Sequence, residues 1–167
     1  MAAERARRLL SRSPEATRAL GEALGRALPP GTLVALEGDL GAGKTAFVQG
    51  LARGLGVLEP VTSPTYALLQ TYHGRLDLHH FDAYMEGRER ALLLDGGLEW
   101  MHAGGIAAVE WADRVADVLP RPRIEIVLRH AGATARKLAI SVEGDARGLA
   151  EIVRALVPPG GIEEVDP

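Results

Sequence analysis

The first regular pattern in the chain is a set of apolar residues at helical spacing. They fall four residues apart and so share one face of a helix: Ala16, Leu20, Leu24 and Leu28. Ser13 precedes Pro14 at the start of this segment, which is typical of an N-cap followed by a proline in the first turn. Residues 29–31, Pro-Pro-Gly, predict the end of the helix, and the apolar residues 32–37 predict a short buried strand.

Strand and helix patterns continue to alternate beyond a glycine-rich loop at residues 38–43. They predict further strands at residues 65–72, 75–81, 106–110, 123–129 and 137–142. They predict further helices at residues 44–55, 86–94, 98–102, 111–119 and 146–157. The first two of these strands meet at His73-Gly74 and form a predicted hairpin, and residues 158–167 are expected to be a frayed tail.

This mixture indicates an α/β fold, namely a three-layer sandwich around a mixed, mainly parallel sheet with an antiparallel hairpin. The 167 residues contain no internal repeat and no long linker, so residues 1–167 are predicted to form a single domain. Hydrophobic residues make up 47% of the chain and aromatic residues only 4%, so aliphatic side chains are expected to fill the core.

Composition and charge narrow the class of protein. The formal net charge of -3 argues against a protein that holds nucleic acid mainly through its overall charge. The chain has no cysteine, which excludes disulfides and thiolate metal sites. No apolar run approaches the roughly 20 residues that span a bilayer, and the charged first residues lack the pattern of a signal peptide. We expect a soluble cytoplasmic protein with no membrane partner.

The glycine-rich loop carries the most specific signal. Gly38-Asp39-Leu40-Gly41-Ala42-Gly43-Lys44-Thr45 matches the phosphate-binding P-loop pattern in full, between a predicted strand and a predicted helix. Glycines let successive backbone N–H groups point at phosphate oxygens beside a helix N-terminus. Lys44 is predicted to reach the terminal phosphates, and Thr45 to place its hydroxyl on Mg²⁺. Lys44 is one of only two lysines, at a position where a forked guanidinium would act differently from an ammonium. The predicted α/β fold is therefore a three-layer P-loop NTPase sandwich, and residues 1–167 are predicted to form a single P-loop nucleotide-binding domain.

Two carboxylates at the ends of predicted strands are candidates for the metal and the attacking water. Glu110 ends the apolar run Ile-Ala-Ala-Val, where a carboxylate would lie beside the phosphates and bind Mg²⁺ directly or through water. The alternative for Glu110 is an ordinary acidic strand end. Asp82 ends the second hairpin strand and is predicted to act at the metal or at the attacking water.

The histidines before Asp82 allow more than one interpretation. Strand alternation puts His80, Asp82 and Tyr84 on one side, so His80 is either a ligand or a structural histidine. His79 and His80 with Asp82 lack a fourth ligand at a spacing that zinc sites use, so we predict no zinc site.

Two further segments are candidates with open alternatives. Ser63-Pro64-Thr65 lies about twenty residues beyond Lys44, where many P-loop proteins carry a switch loop whose hydroxyl contacts the metal or the terminal phosphate. Ser63 and Thr65 are therefore predicted switch-loop residues; the alternative is a turn followed by a strand. Trp111 either stacks on a base or packs in the core, and core packing is the default for a single tryptophan.

The chain lacks the segment that selects guanine in P-loop switches. That segment reads Asn/Thr-Lys-x-Asp, whereas Lys137 is followed by Leu138-Ala139. ATP or ADP with Mg²⁺ is therefore the predicted ligand. Two alternatives from other classes remain: a small-molecule kinase, which needs a second pocket often rich in arginine, and a nucleotide-sensing module without turnover.

Four motifs in a specific order add a family resemblance: the P-loop, Ser63-Pro64-Thr65-Tyr66, His80-Phe81-Asp82-Ala83-Tyr84 and Val109-Glu110-Trp111. Over about residues 13–157 the chain resembles the bacterial TsaE family of tRNA threonylcarbamoyladenosine (t6A) biosynthesis proteins, which are small P-loop ATPases. The resemblance implies an ATPase that is weak alone and acts with two partners of sugar-kinase-like fold, TsaB and TsaD. It implies that TsaD modifies the tRNA adenosine beside the anticodon, that the ATPase resets the complex, and that tRNA is an indirect partner.

The resemblance also implies roles for single residues. Thr45 and Glu110 match magnesium positions, and Asp82 matches a residue needed for hydrolysis, which makes Lys44, Asp82 and Glu110 the predicted catalytic group. The predicted nucleotide contacts are Thr17, Gly41, Ala42, Gly43, Lys44, Thr45, Ala46, Trp111 and Arg136. Thr17 lies in the N-terminal segment that, by the resemblance, contacts adenine. Arg136 is the nearest candidate for a downstream nucleotide-contacting arginine, although Ala135 aligns equally well.

Overall fold

The computed structural model describes residues 5–63, 68–84, 88–97, 99 and 104–166 and folds them around one sheet. The strands are β1 (Arg7–Ser11), β2 (Leu33–Glu37), β3 (Leu69–Tyr72), β4 (Leu78–Asp82), β5 (Ile106–Glu110), β6 (Arg123–His130), β7 (Arg136–Glu143) and β8 (Ile162–Glu164). The helices are α1 (Pro14–Ala27), α2 (Lys44–Gly54), α3 (Arg88–Leu92) and α4 (Arg147–Ala155). A distorted helical turn at Leu93–Gly97 and a 3₁₀ turn at Ala112–Arg114 complete the described elements.

The sheet is mixed, with a parallel centre. Its strand order is β3-β4-β5-β2-β6-β7-β1-β8. The pairs β4–β5, β5–β2 and β2–β6 are parallel, whereas β3 pairs antiparallel with β4, and β7, β1 and β8 extend the other edge in antiparallel fashion. The predicted α/β fold class, a mixed sheet with a parallel core and an antiparallel hairpin, is confirmed.

Apolar residues lie on both sides of the sheet and form two hydrophobic clusters, through which the elements on each side pack against it. On β2, Val34 and Leu36 join one cluster with residues of α1, α2 and α4. Leu33 and Ala35 face the other side and join a second cluster with Leu93 and residues 112–119. This alternation follows from the two-residue period of a strand, and it explains why β2 reads as a continuous apolar run.

Helices α1 and α2 contact each other through their backbones. Gly21 and Gly25 on α1 face α2, and Gly50 and Gly54 on α2 face α1. A Cβ atom on any of these glycines would lie 1.9 to 2.5 Å from a backbone oxygen of the other helix. The four glycines therefore set the distance between the helices, because no other residue leaves room for that approach.

Two parts of the sequence-based prediction need correction, and one local feature is confirmed. The predicted frayed tail at residues 158–167 is wrong for Ile162–Glu164, because these residues form β8 and pair antiparallel with β1, a strand that was not predicted. The predicted helix at 111–119 is only a 3₁₀ turn, because Trp111 takes a left-handed conformation (φ 57°) that ends regular structure directly after β5. The helix start at Ser13 is confirmed, since its Oγ accepts a hydrogen bond from the N–H of Ala16.

Some predicted elements fall on residues that the structure does not describe. The segment 98–102 lies outside the described residues except for Glu99, and so does the start of the predicted strand 65–72. Within the described part of the chain, no helix is long and apolar enough to cross a membrane.

Candidate nucleotide site

The P-loop connects the end of β2 to the start of α2 and depends on its glycines. Gly41 and Gly43 adopt positive φ angles of 75° and 102°, which other residues rarely adopt. At Gly38 a Cβ atom would lie 2.6 Å from the carbonyl oxygen of Leu128 on β6. The loop is thus a curled backbone that only glycines permit at these positions, and its N–H groups precede a helix N-terminus, an arrangement that suits phosphate.

The ammonium group of Lys44 lies inside the curl of this loop. Its Nζ donates hydrogen bonds to the carbonyl oxygens of Gly38 and Asp39, the latter at 2.9 Å. The same atom is 3.9 Å from the centroid of the Trp111 ring, a cation–π distance. Burial lowers the pKa of Lys44, while nearby carboxylates, with Glu110 and Asp82 foremost, act to raise it. The side chain is therefore a buried cation surrounded by negative charge and carbonyl dipoles.

The side chains of Thr45 and Glu110 bring a hydroxyl and a carboxylate together at the start of α2. Thr45 Oγ1 donates to the Glu110 carboxylate, with distances of 3.0 Å to Oε1 and 3.3 Å to Oε2. Thr45 is at the first turn of α2 and Glu110 is the last residue of β5. Hydroxyl and carboxylate oxygens are the hard ligands that Mg²⁺ prefers, so the residues present fit that ion.

Asp82 lies beside Glu110 because of strand register. The two residues are Cα partners in the parallel pair β4–β5, and the N–H of Ala83 donates to the carbonyl oxygen of Glu110. The Asp82 carboxylate accepts from Ser63 Oγ at 3.0 Å and from the N–H of Tyr84 at 2.9 Å. Each of its oxygens is thus fixed by one donor, and the carboxylate has a defined orientation at the edge of the cleft.

His80 lies behind Glu110 and not on the open side of the cleft. The side chain is fully buried, and its Nε2 is 2.5 Å from Glu110 Oε2. Its neighbour His79 points to the other side of β4, where Nδ1 bonds to the Thr71 hydroxyl at 3.0 Å. The two histidines therefore do not converge on one point, as a shared metal site would require.

A cleft of about 520 Å³ opens along these residues. Of the predicted nucleotide contacts, Thr17, Gly41, Gly43, Lys44, Thr45, Ala46, Trp111 and Arg136 line it, together with Ser63, Asp82 and Glu110. Ala42 does not line the cleft, because its side chain is buried beneath the loop. Thr65 lies outside the described residues. The sequence-predicted residues are thus brought together around one cavity with those two exceptions.

The walls of the cleft differ in character. On the side of α1, Thr17 uses its hydroxyl within the protein, with Ser11 Oγ at 2.7 Å, so it presents its methyl group near Gly43. Arg136 donates from Nη2 to the carbonyl oxygen of Gly41 at 3.0 Å, which connects the β6–β7 turn to the P-loop. Its position favours Arg136 over Ala135, which does not line the cleft.

Trp111 occupies the opposite wall and fits neither simple alternative for a lone tryptophan. Its ring packs partly against the second apolar cluster and partly faces the cleft. The Tyr84 ring lies 5.0 Å from it, and the Arg114 guanidinium lies 5.0 Å from its centroid. Because the Lys44 ammonium is its contact on the cleft side, the indole lies at the phosphate end of the site.

Sequence reasoning did not assign four residues that line the cleft: Pro14, Leu40, Tyr84 and Thr134. Strand alternation had placed Tyr84 on the same side as Asp82, which was a usable signal. Thr134 lies in the β6–β7 turn, far from the P-loop in sequence, and no local pattern marks it. Its approach depends on the pairing of β1 with β7, which brings that turn beside the start of α1.

Comparison with known proteins gives a consistent answer. The family model "Threonylcarbamoyl adenosine biosynthesis protein TsaE" matches residues 11–138. A Treponema pallidum protein named tRNA threonylcarbamoyladenosine biosynthesis protein TsaE is 42% identical over 134 residues, which cover 80% of this chain and 99% of the relative. The Bacillus subtilis protein of the same name is 40% identical over 135 residues, which cover 80% and 84%.

A solved structure agrees with these relatives. The crystal structure of Bacillus subtilis YdiB superposes with a TM-score of 0.73 at 32% identity, covering 91% of this chain and 98% of that one. Residues 11–138, which the family model matches, contain the P-loop and both acidic strand ends. This chain belongs to the TsaE family.

Proposed function

We propose that this protein is a magnesium-dependent ATPase that supports tRNA threonylcarbamoyladenosine modification together with TsaB and TsaD. The observation that carries the proposal is the pairing of the Thr45 hydroxyl with the Glu110 carboxylate at the mouth of the P-loop. If the glycine-rich turn only started a helix, that role would not require the threonine of the first helical turn to bond to a buried carboxylate on another strand. The names of the relatives support the role in tRNA modification, and the residues of the cleft support the ATPase activity.

Each side chain has a defined task in this proposal. Lys44 and the N–H groups of the P-loop hold the phosphates, and Thr45 with Glu110 would hold Mg²⁺. The ion, when bound, neutralises charge that develops on the phosphate oxygens. Asp82 is fixed by Ser63 and Tyr84, so its carboxylate can orient a water molecule and accept a proton from it.

The geometry gives less support to a small-molecule kinase. Arg136 is the one arginine that lines the cleft among the described residues, and its guanidinium is bonded to backbone carbonyls. The segment where a lid would be expected contains the β3–β4 hairpin instead. A second substrate with phosphate or carboxylate groups would meet no cluster of free arginines in the described part of the cleft.

The proposed function is tested by phosphate release from ATP. We expect slow release by the protein alone and faster release when TsaB and TsaD are added together, with Mg²⁺ required in both cases. Release that stays at the same rate with both partners present would contradict the partner role. Transfer of the phosphoryl group to a metabolite in place of water would favour the kinase.

Replacing Asp82 by asparagine is expected to separate binding from hydrolysis. The amide keeps an oxygen that accepts from the N–H of Tyr84 but removes the charge and the base. We expect ADP affinity to persist while the rate of phosphate release falls about 100-fold, the lower range for loss of a general base. Asp77→Asn is the matched control, since Asp77 directly precedes the same hairpin strand, pairs with exposed His73 and lies outside the cleft. Unchanged hydrolysis in the Asp82 variant would remove that residue from the mechanism.

A further inference from the structure

A fully buried histidine stands directly behind the proposed magnesium ligand. His80 is 0% exposed, and Glu110, its partner, is 2% exposed. The two residues come from neighbouring parallel strands, β4 and β5, where His80 pairs in register with Ala108. Its ring therefore reaches forward by two residues to the carboxylate at the strand end, 2.5 Å from Nε2 to Oε2. The proposed phosphate and metal contacts leave this histidine without a role.

The hydrogen-bond pattern defines which atom of the ring donates. An ionised carboxylate only accepts, so Nε2 must carry the hydrogen of this bond. Nδ1 is buried and has no hydrogen-bond partner within the described residues. A buried N–H without an acceptor is costly, so Nδ1 is best left as a bare nitrogen. The arrangement fits an imidazole that donates from Nε2 to Glu110.

The histidine also restricts the terminal side-chain torsion of Glu110, which the backbone of β5 does not fix. The terminal torsion of a glutamate is broad, so the backbone of β5 does not by itself fix the plane of the carboxylate. Thr45 approaches both oxygens, at 3.0 and 3.3 Å, and does not select between them. His80 binds Oε2 alone. With both donors in place, Oε1 is the oxygen that His80 leaves available on the cleft side.

We infer that His80 is a positioning residue that holds the Glu110 carboxylate in the orientation needed for Mg²⁺. This inference rests on the magnesium site of the proposed function. His80 touches neither substrate nor metal and acts through Glu110 alone. The sequence left open whether His80 is a ligand or a structural histidine; the geometry points to a third role, that of support for a ligand.

The test measures metal affinity, not turnover. Mn²⁺ is used as the probe, and its binding to the purified protein with saturating ADP is followed by the electron paramagnetic resonance signal of free Mn²⁺. We expect His80→Leu, which keeps the bulk but removes the donor, to weaken Mn²⁺ binding about 10-fold, a typical effect of losing a residue that orients a metal ligand. Its ADP affinity without metal should equal that of the parent protein.

Two further variants make the result specific. His80→Gln restores an amide N–H donor and should recover much of the lost Mn²⁺ affinity. His79→Leu is the matched control, because it removes the neighbouring imidazole from the other side of the same strand, and it should leave Mn²⁺ binding unchanged. A change in fold alone would appear in ADP binding without metal and would not be reversed by glutamine.

The outcomes are distinguishable. If the parent protein with ADP binds no Mn²⁺, the magnesium site of the proposed function fails, and the role of His80 fails with it. If the parent binds Mn²⁺ and His80→Leu binds it equally well, the magnesium site stands and the positioning role of His80 is overturned. Weakened binding in His80→Leu that glutamine reverses supports the inference.

Discussion

Replacing Lys44 by alanine is expected to abolish nucleotide binding at the concentrations used for the parent protein. The ammonium is the cation inside the P-loop, and Glu110 and Asp82 surround it with negative charge. Without it, the phosphates of ATP or ADP would face those carboxylates with no compensating charge. Removing one partner from a buried charge pair costs about 3 kcal/mol, which corresponds to about a 100-fold loss of affinity. Titration of ADP by calorimetry measures the effect.

The chain provides a matched control for the Lys44 variant. Lys137, the other lysine, is exposed on β7, so Lys137→Ala removes the same charge away from the cleft. It should leave ADP affinity unchanged. Lys44→Arg should not restore binding, since a planar guanidinium does not fit the place of a compact ammonium held by two loop carbonyls. ADP affinity retained in Lys44→Ala would contradict the assignment of the P-loop as the phosphate site.

Replacing Gly50 by alanine is expected to destabilise the fold more than any other single methyl addition described above. The added Cβ would lie 1.9 Å from the carbonyl oxygen of Arg18 and 2.8 Å from its Cα, both backbone atoms of α1. Alanine gains about 1 kcal/mol in helix propensity over glycine. Overpacking against movable side chains costs about 1–3 kcal/mol, and backbone moves less readily, so we expect a net loss of about 3 kcal/mol. That loss should lower Tm by roughly 6–12 °C.

Gly148→Ala is the control for helix propensity. Gly148 lies in α4, where an added Cβ would meet no atom within 4 Å. Here the propensity term acts alone, so this variant should be more stable than the parent by about 0.5–1 kcal/mol. Thermal and urea unfolding measure the free energy of unfolding of both variants. We expect it to fall for Gly50→Ala and to rise for Gly148→Ala, although both variants add the same methyl group. Equal stability of the two variants would show that α1 and α2 do not make the close contact described.

The elements that pattern alone could predict are those with a buried face. Leu20 and Leu24 mark the inner face of α1, and the apolar run that became β2 is buried on both sides of the sheet. The strands β1 and β8, the last two on one side of the sheet, were missed because their outward charges interrupt alternation. Arg7 pairs with Glu164 and Arg12 with Glu163, so these charged residues are satisfied across strands in a way that sequence spacing does not reveal.

The part of the candidate site that could be predicted consists of carboxylates at the ends of strands. Glu110 and Asp82 each end a strand, and parallel neighbours bring their ends to one edge of a sheet. The conformation of Trp111 was not predictable, since its positive φ departs from the ordinary preference of a bulky residue. The support of Glu110 by His80 depends on the neighbour relation of β4 and β5, which the sequence order of the strands does not fix.

The register of β4 against β5 limits how the carboxylates of Asp82 and Glu110 can move relative to each other. Asp82 and Glu110 form the last pair of that parallel pairing, and a slip of β4 by one residue would turn the Asp82 side chain to the opposite side of the sheet. The carboxylates can therefore separate only if central hydrogen bonds break, which is a cooperative opening of the core. We expect the amides of Asp82 and Ala83, bonded to the carbonyls of Leu68 and Glu110, to exchange with solvent deuterium as slowly as the centre of the sheet.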